Sequence, residues 1–176
     1  SIRILDNRNI PSSIGIIGGG IIGVEFACFY ASLGCKVTVI EALTEICTGF
    51  DSDIVKTLRQ ELERKGISFV LEAKVTKITD NSVSYILKNE ESCINTDAIL
   101  IATGRSPNIN NIGLEKLGID FDRNGIKIDD HCRTNIPNIY AIGDCTGKIQ
   151  LAHVASRQGE VAVNTICNKP DKMRYN

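Results

Sequence analysis

The stretch SSIGIIGGGIIGVEFACFYASLGCKVTVIE, Ser12 to Glu41, limits the possible folds more than any other part of the chain. An apolar run enters three glycines, a segment with helical spacing follows, and a second apolar run stops at an acid. Gly18, Gly20 and Gly23 match the spacing G-x-G-x-x-G. Alone the pattern is weak, because glycine is common. Between a strand and a helix, with an acid closing the next strand, it specifies a dinucleotide-binding β–α–β unit. The first glycine permits a tight turn, the second lets backbone approach a pyrophosphate, and the third lets helix and strand pack closely. Amides at the helix start then face the phosphates, aided by the helix dipole.

Glu41 lies 18 residues beyond Gly23. A carboxylate there accepts hydrogen bonds from ribose hydroxyls and repels a 2′-phosphate, so NAD is expected over NADP. The competing reading is a structural glycine turn beside a solvated Glu41. From spacing, Glu25 reads first as an acid favoured by the helix dipole. Gly104 closes another apolar run, DAILIATG. It is either a point of backbone approach to the same ligand or a plain strand exit.

The remaining pattern extends an α/β reading. Ile22, Phe26, Phe29, Tyr30 and Leu33 are expected to share the inner face of the first helix, which Gly34 ends. Asp51 or Ser52 caps a second helix with an apolar stripe of Ile54, Val55, Leu58 and Leu62, and Gly66 stops it. From Ile67 to Ile94 the period shifts toward two, which predicts short strands, the later ones antiparallel. DAILIATG reads as a central parallel strand. Beyond Gly104, RSPNINNIGLEKLGID reads as a surface-wandering segment. GIKID and NIYAIGD read as short strands, and LAHVASRQGEVAVNTICN as a helix. Its apolar positions are Leu151, Val154, Ala155, Val161, Ala162 and Ile166.

Composition closes off several classes. The 176 residues are 43% apolar with net charge −1, and no basic stripe is interleaved with aromatics, so nucleic acid is not an expected partner. The longest apolar run, Ile14 to Ile22, is broken by glycines and too short to cross a bilayer. No secretory leader is legible. The seven cysteines include no Cys-x-x-Cys pair, which favours free thiols and a cytoplasmic location. His131-Cys132 beside Asp129 and Asp130 lacks the second ligand pair of a zinc site, so a turn is expected there and no metal. GDCTGKI is one residue short of a Walker loop and has Ile149 in place of Ser or Thr. Tyr85 and Lys88 are one residue too close for a short-chain dehydrogenase pair, and no Ser-His-Asp arrangement is legible.

The segments IIGGGIIGVEFACFYASLGCKVTVIE, DAILIATGRSPN and NIYAIGDCTGKIQLAHVAS, in that order, resemble the pyridine nucleotide–disulfide oxidoreductases. Within them the chain most resembles the dihydrolipoamide dehydrogenase branch, and Leu151-Ala152-His153 is the most discriminating piece. The resemblance implies a linker over residues 1–8 and a Rossmann-like NAD-binding domain over 9–104, a parallel sheet with an antiparallel β-meander. It implies that 105–176 is the returning, incomplete portion of an FAD-binding domain.

By the same resemblance, Gly18, Gly19, Gly20, Ile21, Ile22, Gly23, Val24 and Glu25 hold the NAD pyrophosphate and reach the nicotinamide. Glu41 binds the adenosine ribose, Val75 lines the adenine, and Gly104 lies near the nicotinamide half. Ile21 and Gly23 fit the NAD-using branch. Asp144 holds the flavin ribityl chain, and Gln150, Leu151, Ala152 and His153 lie beside the flavin. The family's redox pair is two cysteines separated by four residues, and no pair here has that spacing. The expectation is therefore the central part of a longer, homodimeric enzyme. That enzyme oxidises dihydrolipoamide on the carrier domain of a 2-oxoacid dehydrogenase or glycine-cleavage complex. No residue present is assigned a catalytic step. The alternatives are a stand-alone NAD-binding or redox-sensing module, and the same region of another flavin disulfide reductase.

Overall fold

The computed structural model describes Ile4 and residues 9–175. Apart from Ile4, the linker expected over 1–8 lies outside the described residues. The chain divides into two compact units between Gly104 and Arg105.

In the first unit, β1 (Ser13–Ile17) lies between β2 (Lys36–Ile40) and β7 (Ala98–Ile101), and β3 (Ser68–Val70) flanks β2. All three pairings are parallel. Strand alternation sends Ile14, Ile16, Val37 and Val39 to one face, where they pack with Val24, Ala27, Val55 and Leu62. Those last four come from α1 (Ile21–Ser32) and α2 (Ser52–Arg64). Ile17 and Ile40 point the other way, onto Ala73, Val83 and Tyr85 of an antiparallel meander. The meander is β4 (Ala73–Ile78), β5 (Ser82–Leu87) and β6 (Glu90–Asn95). Helices, parallel sheet and meander thus form three layers.

Several sequence expectations need correction here. The inner face of α1 is Gly23, Val24, Ala27 and Tyr30, while Phe29 and Leu33 are exposed. The face begins at a glycine because the helix start must sit against the glycine loop, and Tyr30 is the one expected inner residue that is fully buried. On α2, Val55 and Leu62 are buried and Ile54 is exposed. Asp51, not Ser52, is its cap, accepting the Asp53 amide at 3.0 Å. β7 stands at the end of the four-strand order, so its apolar run reflects cover on its faces rather than a central position. Gly34 and Gly66 have φ +81 and +86, the left-handed stops expected of them.

The second unit contains α3 (Leu114–Leu117), the short pair β8 (Phe121–Asp122) and β9 (Gly125–Ile126), a 3-10 turn at Gly143–Thr146, and α4 (Ala152–Ile166). Residues 105–120 run over the surface as expected, but three side chains anchor them: Ile109, Leu114 and Ile119 are buried with Ile126 and Ala141. NIYAIGD is not a regular strand. Tyr140 makes a single bridge to Arg133, and the chain then turns at Gly143. On α4, Leu151 and Ile166 are exposed, and the inner face is Gln158, Val161, Ala162 and Thr165.

Candidate functional site

The glycine loop connects β1 to α1. Gly18 has φ +106, and a Cβ there would lie 2.4 Å from the Ala102 carbonyl oxygen. The first glycine is therefore required both by its dihedral and by the strand exit after β7 passing over it. A Cβ on Gly23 would lie 2.0 Å from the Gly18 carbonyl oxygen, so the third glycine seats the helix on the loop. Gly20 differs from both. Its φ of −70° suits any residue, and a Cβ on it would meet nothing within 4 Å. The free space beside Gly20 is what a ligand approaching the backbone needs.

The start of α1 is electrically open. Gly20 is its N-cap, and no side chain caps it. The first amides of a helix have no partners within the helix, and they carry the positive end of its dipole. Such a terminus takes an anion. Ile21 is 52% exposed at this end. Ile22 is half-buried, Val24 buried, and Glu25 exposed.

Glu41 stands just past β2 and turns back on the loop. One carboxylate oxygen accepts the Gly19 amide at 2.6 Å, and the other accepts the Leu43 amide at 2.8 Å. Each oxygen keeps acceptor capacity for a further donor. The Gly19 carbonyl accepts the Cys47 amide at 2.8 Å, so the loop is held from both sides. Burial, reinforced by the charges of Glu25 and Glu45, pushes the Cys47 thiol above its ordinary range. The Ala73 amide donates to the Glu41 carbonyl at 2.9 Å, which starts β4 beside the acid and sets Val75, half-buried, two residues along it. Gly104 is exposed with φ +114, and space is open around it. The sequence-predicted residues from Gly18 to Glu41 are therefore brought together, with Val75 reached through Glu41 and Gly104 through the β7 exit.

In the second unit, Asp144 lies on the 3-10 turn, exposed, with its carboxylate 3.9 Å from the Arg105 guanidinium. Both side chains are half exposed, so the pair is weak and leaves Asp144 available. α4 opens at Leu151, again without a side-chain cap. Gln150, Leu151, Ala152 and His153 are all exposed around that opening. Sequence reasoning missed Cys47 as a holder of the loop and Gln158 on α4. The signal for Gln158 was present: a polar residue in register with Val161, Ala162 and Thr165.

His131 and Cys132 form a turn, with the His131 amide on the Asp129 carboxylate at 2.8 Å and Cys132 fully buried. Among the described residues, no group of three or more His, Cys, Asp or Glu is placed to hold a metal ion. Nor is any helix among them long and apolar enough to cross a membrane.

Comparison with known proteins gives relatives of the chain as a whole. The sequence pattern of the family described as pyridine nucleotide-disulphide oxidoreductase matches residues 1–159. The dihydrolipoyl dehydrogenase of Chlamydia trachomatis serovar D is 44% identical over 176 residues, 99% of this chain and 38% of that protein. The dihydrolipoyl dehydrogenase of Geobacillus stearothermophilus is 37% identical over 98% of this chain and 39% of its own length. Among solved structures, LpdA from Mycobacterium tuberculosis superposes with a TM-score of 0.88 at 28% identity, over 98% of this chain and 38% of that one. The HOCl-induced flavoprotein disulfide reductase RclA from Escherichia coli gives 0.85 at 31% identity, over 96% and 39%. The chain thus spans roughly two-fifths of the length of these relatives.

Proposed function

Because the chain belongs to the pyridine nucleotide–disulphide oxidoreductase family, we propose that it carries the NAD site and one side of the FAD site of a dihydrolipoyl dehydrogenase. In such an enzyme, electrons from dihydrolipoamide pass through a disulfide and the flavin to NAD. The observation that carries the reading is the uncapped start of α1, open beside Gly20 and flanked by Glu41.

The residues fit the dinucleotide. The α1 amides from Ile21 to Gly23 meet the pyrophosphate, while the Val24 amide closes the first helical bond on the Gly20 carbonyl, and the helix dipole adds to their hold. Glu41 keeps its loop contacts and accepts the ribose hydroxyls on its remaining lone pairs. Its charge opposes a 2′-phosphate. Val75 offers apolar surface to the adenine, and Glu25 and Gly104 serve the nicotinamide half. Asp144 takes a ribityl hydroxyl. The opening of α4 at Gln150 to His153 sets a second helix dipole toward the flavin, where it favours negative charge.

These residues bind, orient and polarise. No two cysteines of the chain are separated by four residues, and none of its residues is assigned the dithiol step. The partners proposed with this function are the lipoyl carrier domain of a 2-oxoacid dehydrogenase or glycine-cleavage complex and a second copy of the enzyme. All seven cysteines are free thiols, which suits the cytoplasm as the proposed location.

The test is a fluorescence titration with NADH and NADPH side by side. NADH is expected to bind tighter by at least tenfold, on the scale of a charged hydrogen bond lost and a repulsion gained. Equal or tighter binding of NADPH would overturn the assignment of Glu41.

A further inference from the structure

α4 buries a primary amide. Gln158 is 1% exposed, on the same face as Val161, Ala162 and Thr165. A buried amide must satisfy both its donors and its acceptor. Its Oε1 accepts the Gly143 amide at 2.6 Å, and its Nε2 donates to the Tyr175 hydroxyl at 2.9 Å. The orientation is forced. A backbone N–H only donates, so the oxygen must face Gly143 and the nitrogen is left for Tyr175.

Gly143 opens the 3-10 turn that carries Asp144. Its φ of +76° lies where glycine moves freely. Two bonds remove that freedom. The Thr146 hydroxyl donates to the Gly143 carbonyl at 2.8 Å from within the turn, and Gln158 takes the Gly143 amide from α4. The outer end of the clamp belongs to the last described segment. There the Met173 amide donates to the Asp130 carbonyl at 2.8 Å, and Asp171 is paired with Arg157.

We infer that Gln158 is the positioning residue of the flavin half-site: it fixes the Gly143 peptide and thereby aims Asp144, and Tyr175 holds it in place. This rests on the reading of Asp144 as a flavin contact. Gln158 touches no ligand itself and acts through Gly143.

The test compares Gln158→Met, Gln158→Glu and Asp144→Ala in the full-length protein. Hydrogen exchange is followed by mass spectrometry on the flavin-free form, over the peptide holding Gly143. Flavin release is measured on the loaded form. In Gln158→Met the Gly143 segment is expected to exchange roughly tenfold faster or more, as for a lost acceptor of a buried amide. The strands of the first unit should be unchanged, and flavin release should quicken as it does in Asp144→Ala. Gln158→Glu should restore both, because a carboxylate accepts from Gly143 and from the Tyr175 hydroxyl together. Exchange at Gly143 and flavin release should thus move together across the variants, a coupling that a purely structural role would not produce.

Unchanged exchange at Gly143 in Gln158→Met overturns the inference and leaves the flavin reading standing. Faster exchange without faster flavin release overturns it too. An Asp144→Ala protein that keeps its flavin normally removes the flavin reading, and the inference with it. Should the Met variant not fold, Tyr175→Phe decides: exchange at Gly143 and flavin release are expected to quicken together, and no change in either overturns the inference.

Discussion

The Glu41 carboxylate accepts the Gly19 amide at 2.6 Å, so the acid at the end of the second strand also shapes the loop it serves. Its second oxygen takes the Leu43 amide. Replacing Glu41 therefore has two separable effects. Glu41→Gln keeps one acceptor oxygen but turns an amide donor toward a backbone N–H. Stability is expected to fall by about 1 kcal/mol, the cost of one hydrogen bond. The NADH-over-NADPH preference should shrink by roughly tenfold, because the charge opposing the 2′-phosphate is gone. Thermal unfolding reads the first effect and paired titrations the second.

The glycines of the loop separate folding from binding. Gly23→Ala places a methyl 2.0 Å from the Gly18 carbonyl oxygen, and the helix must move off the loop. A loss of about 3 kcal/mol is expected, at the upper end for overpacking. Gly20→Ala meets no atom within 4 Å at a φ that alanine accepts. Its stability should be unchanged or raised by about 0.5 kcal/mol. NADH binding should nevertheless weaken by roughly tenfold or more, since the methyl fills space the pyrophosphate would use. Chemical denaturation combined with NADH titration on both variants distinguishes the two roles. Normal NADH affinity in Gly20→Ala would contradict the placement of the ligand.

The loop was legible because it is local. Gly18, Gly20, Gly23 and Glu41 lie in one β–α–β unit, where spacing dictates geometry. The α1 face was misread for a reason that spacing does not carry. Tyr30 is buried as expected, but Phe29 and Leu33 fit an apolar stripe as well; Gly23 must face the loop, and that rotation buries Val24 and Ala27 in their place. In the second unit, NIYAIGD has strand composition, but its one bridge among the described residues runs from Tyr140 to Arg133. Its Ile139 amide turns back to the Ile136 carbonyl, and two others go to single distant partners: Ala141 to the Cys132 carbonyl, and Gly143 to Gln158. The helix register marks Gln158 as inward-facing, but nothing in the sequence says which backbone amide fifteen residues away it meets.

Acid should loosen the second unit through Asp171. The Arg157 guanidinium, with help from Asn164, holds the Asp171 carboxyl down at about 2, against an ordinary 3.8. A depressed carboxyl stabilises the fold above its unfolded value. That contribution is complete at neutral pH and is lost as pH falls from about 4 through about 2. Asp171→Asn should lower the melting temperature at pH 7 and flatten its fall over that window. Melting curves of both forms from pH 7 to pH 2 test this, and parallel curves would refute it.

The cysteines should divide by burial rather than by sequence. Cys93 and Cys167 are exposed, Cys28 and Cys145 are half-buried, and Cys35, Cys47 and Cys132 are buried. Burial pushes the Cys132 thiol up to about 11, with Asp129 adding to the shift. The thiolate is the reactive form, so Cys132 is both shielded and protonated at pH 8. Brief alkylation of the native protein at that pH should mark Cys93 and Cys167 first and leave Cys132 unmodified until denaturant is added. Because its raised value favours the neutral thiol, Cys132 costs nothing below its ordinary 9.0 and destabilises the fold as pH climbs from 9 toward about 11. Cys132→Ala should remove that alkaline component at the expense of a cavity costing about 1 kcal/mol at neutral pH. Peptide mapping after timed alkylation checks the order, and rapid native labelling of Cys132 would show that its cluster with Val161, Ala162 and Met173 opens far more readily than its packing implies.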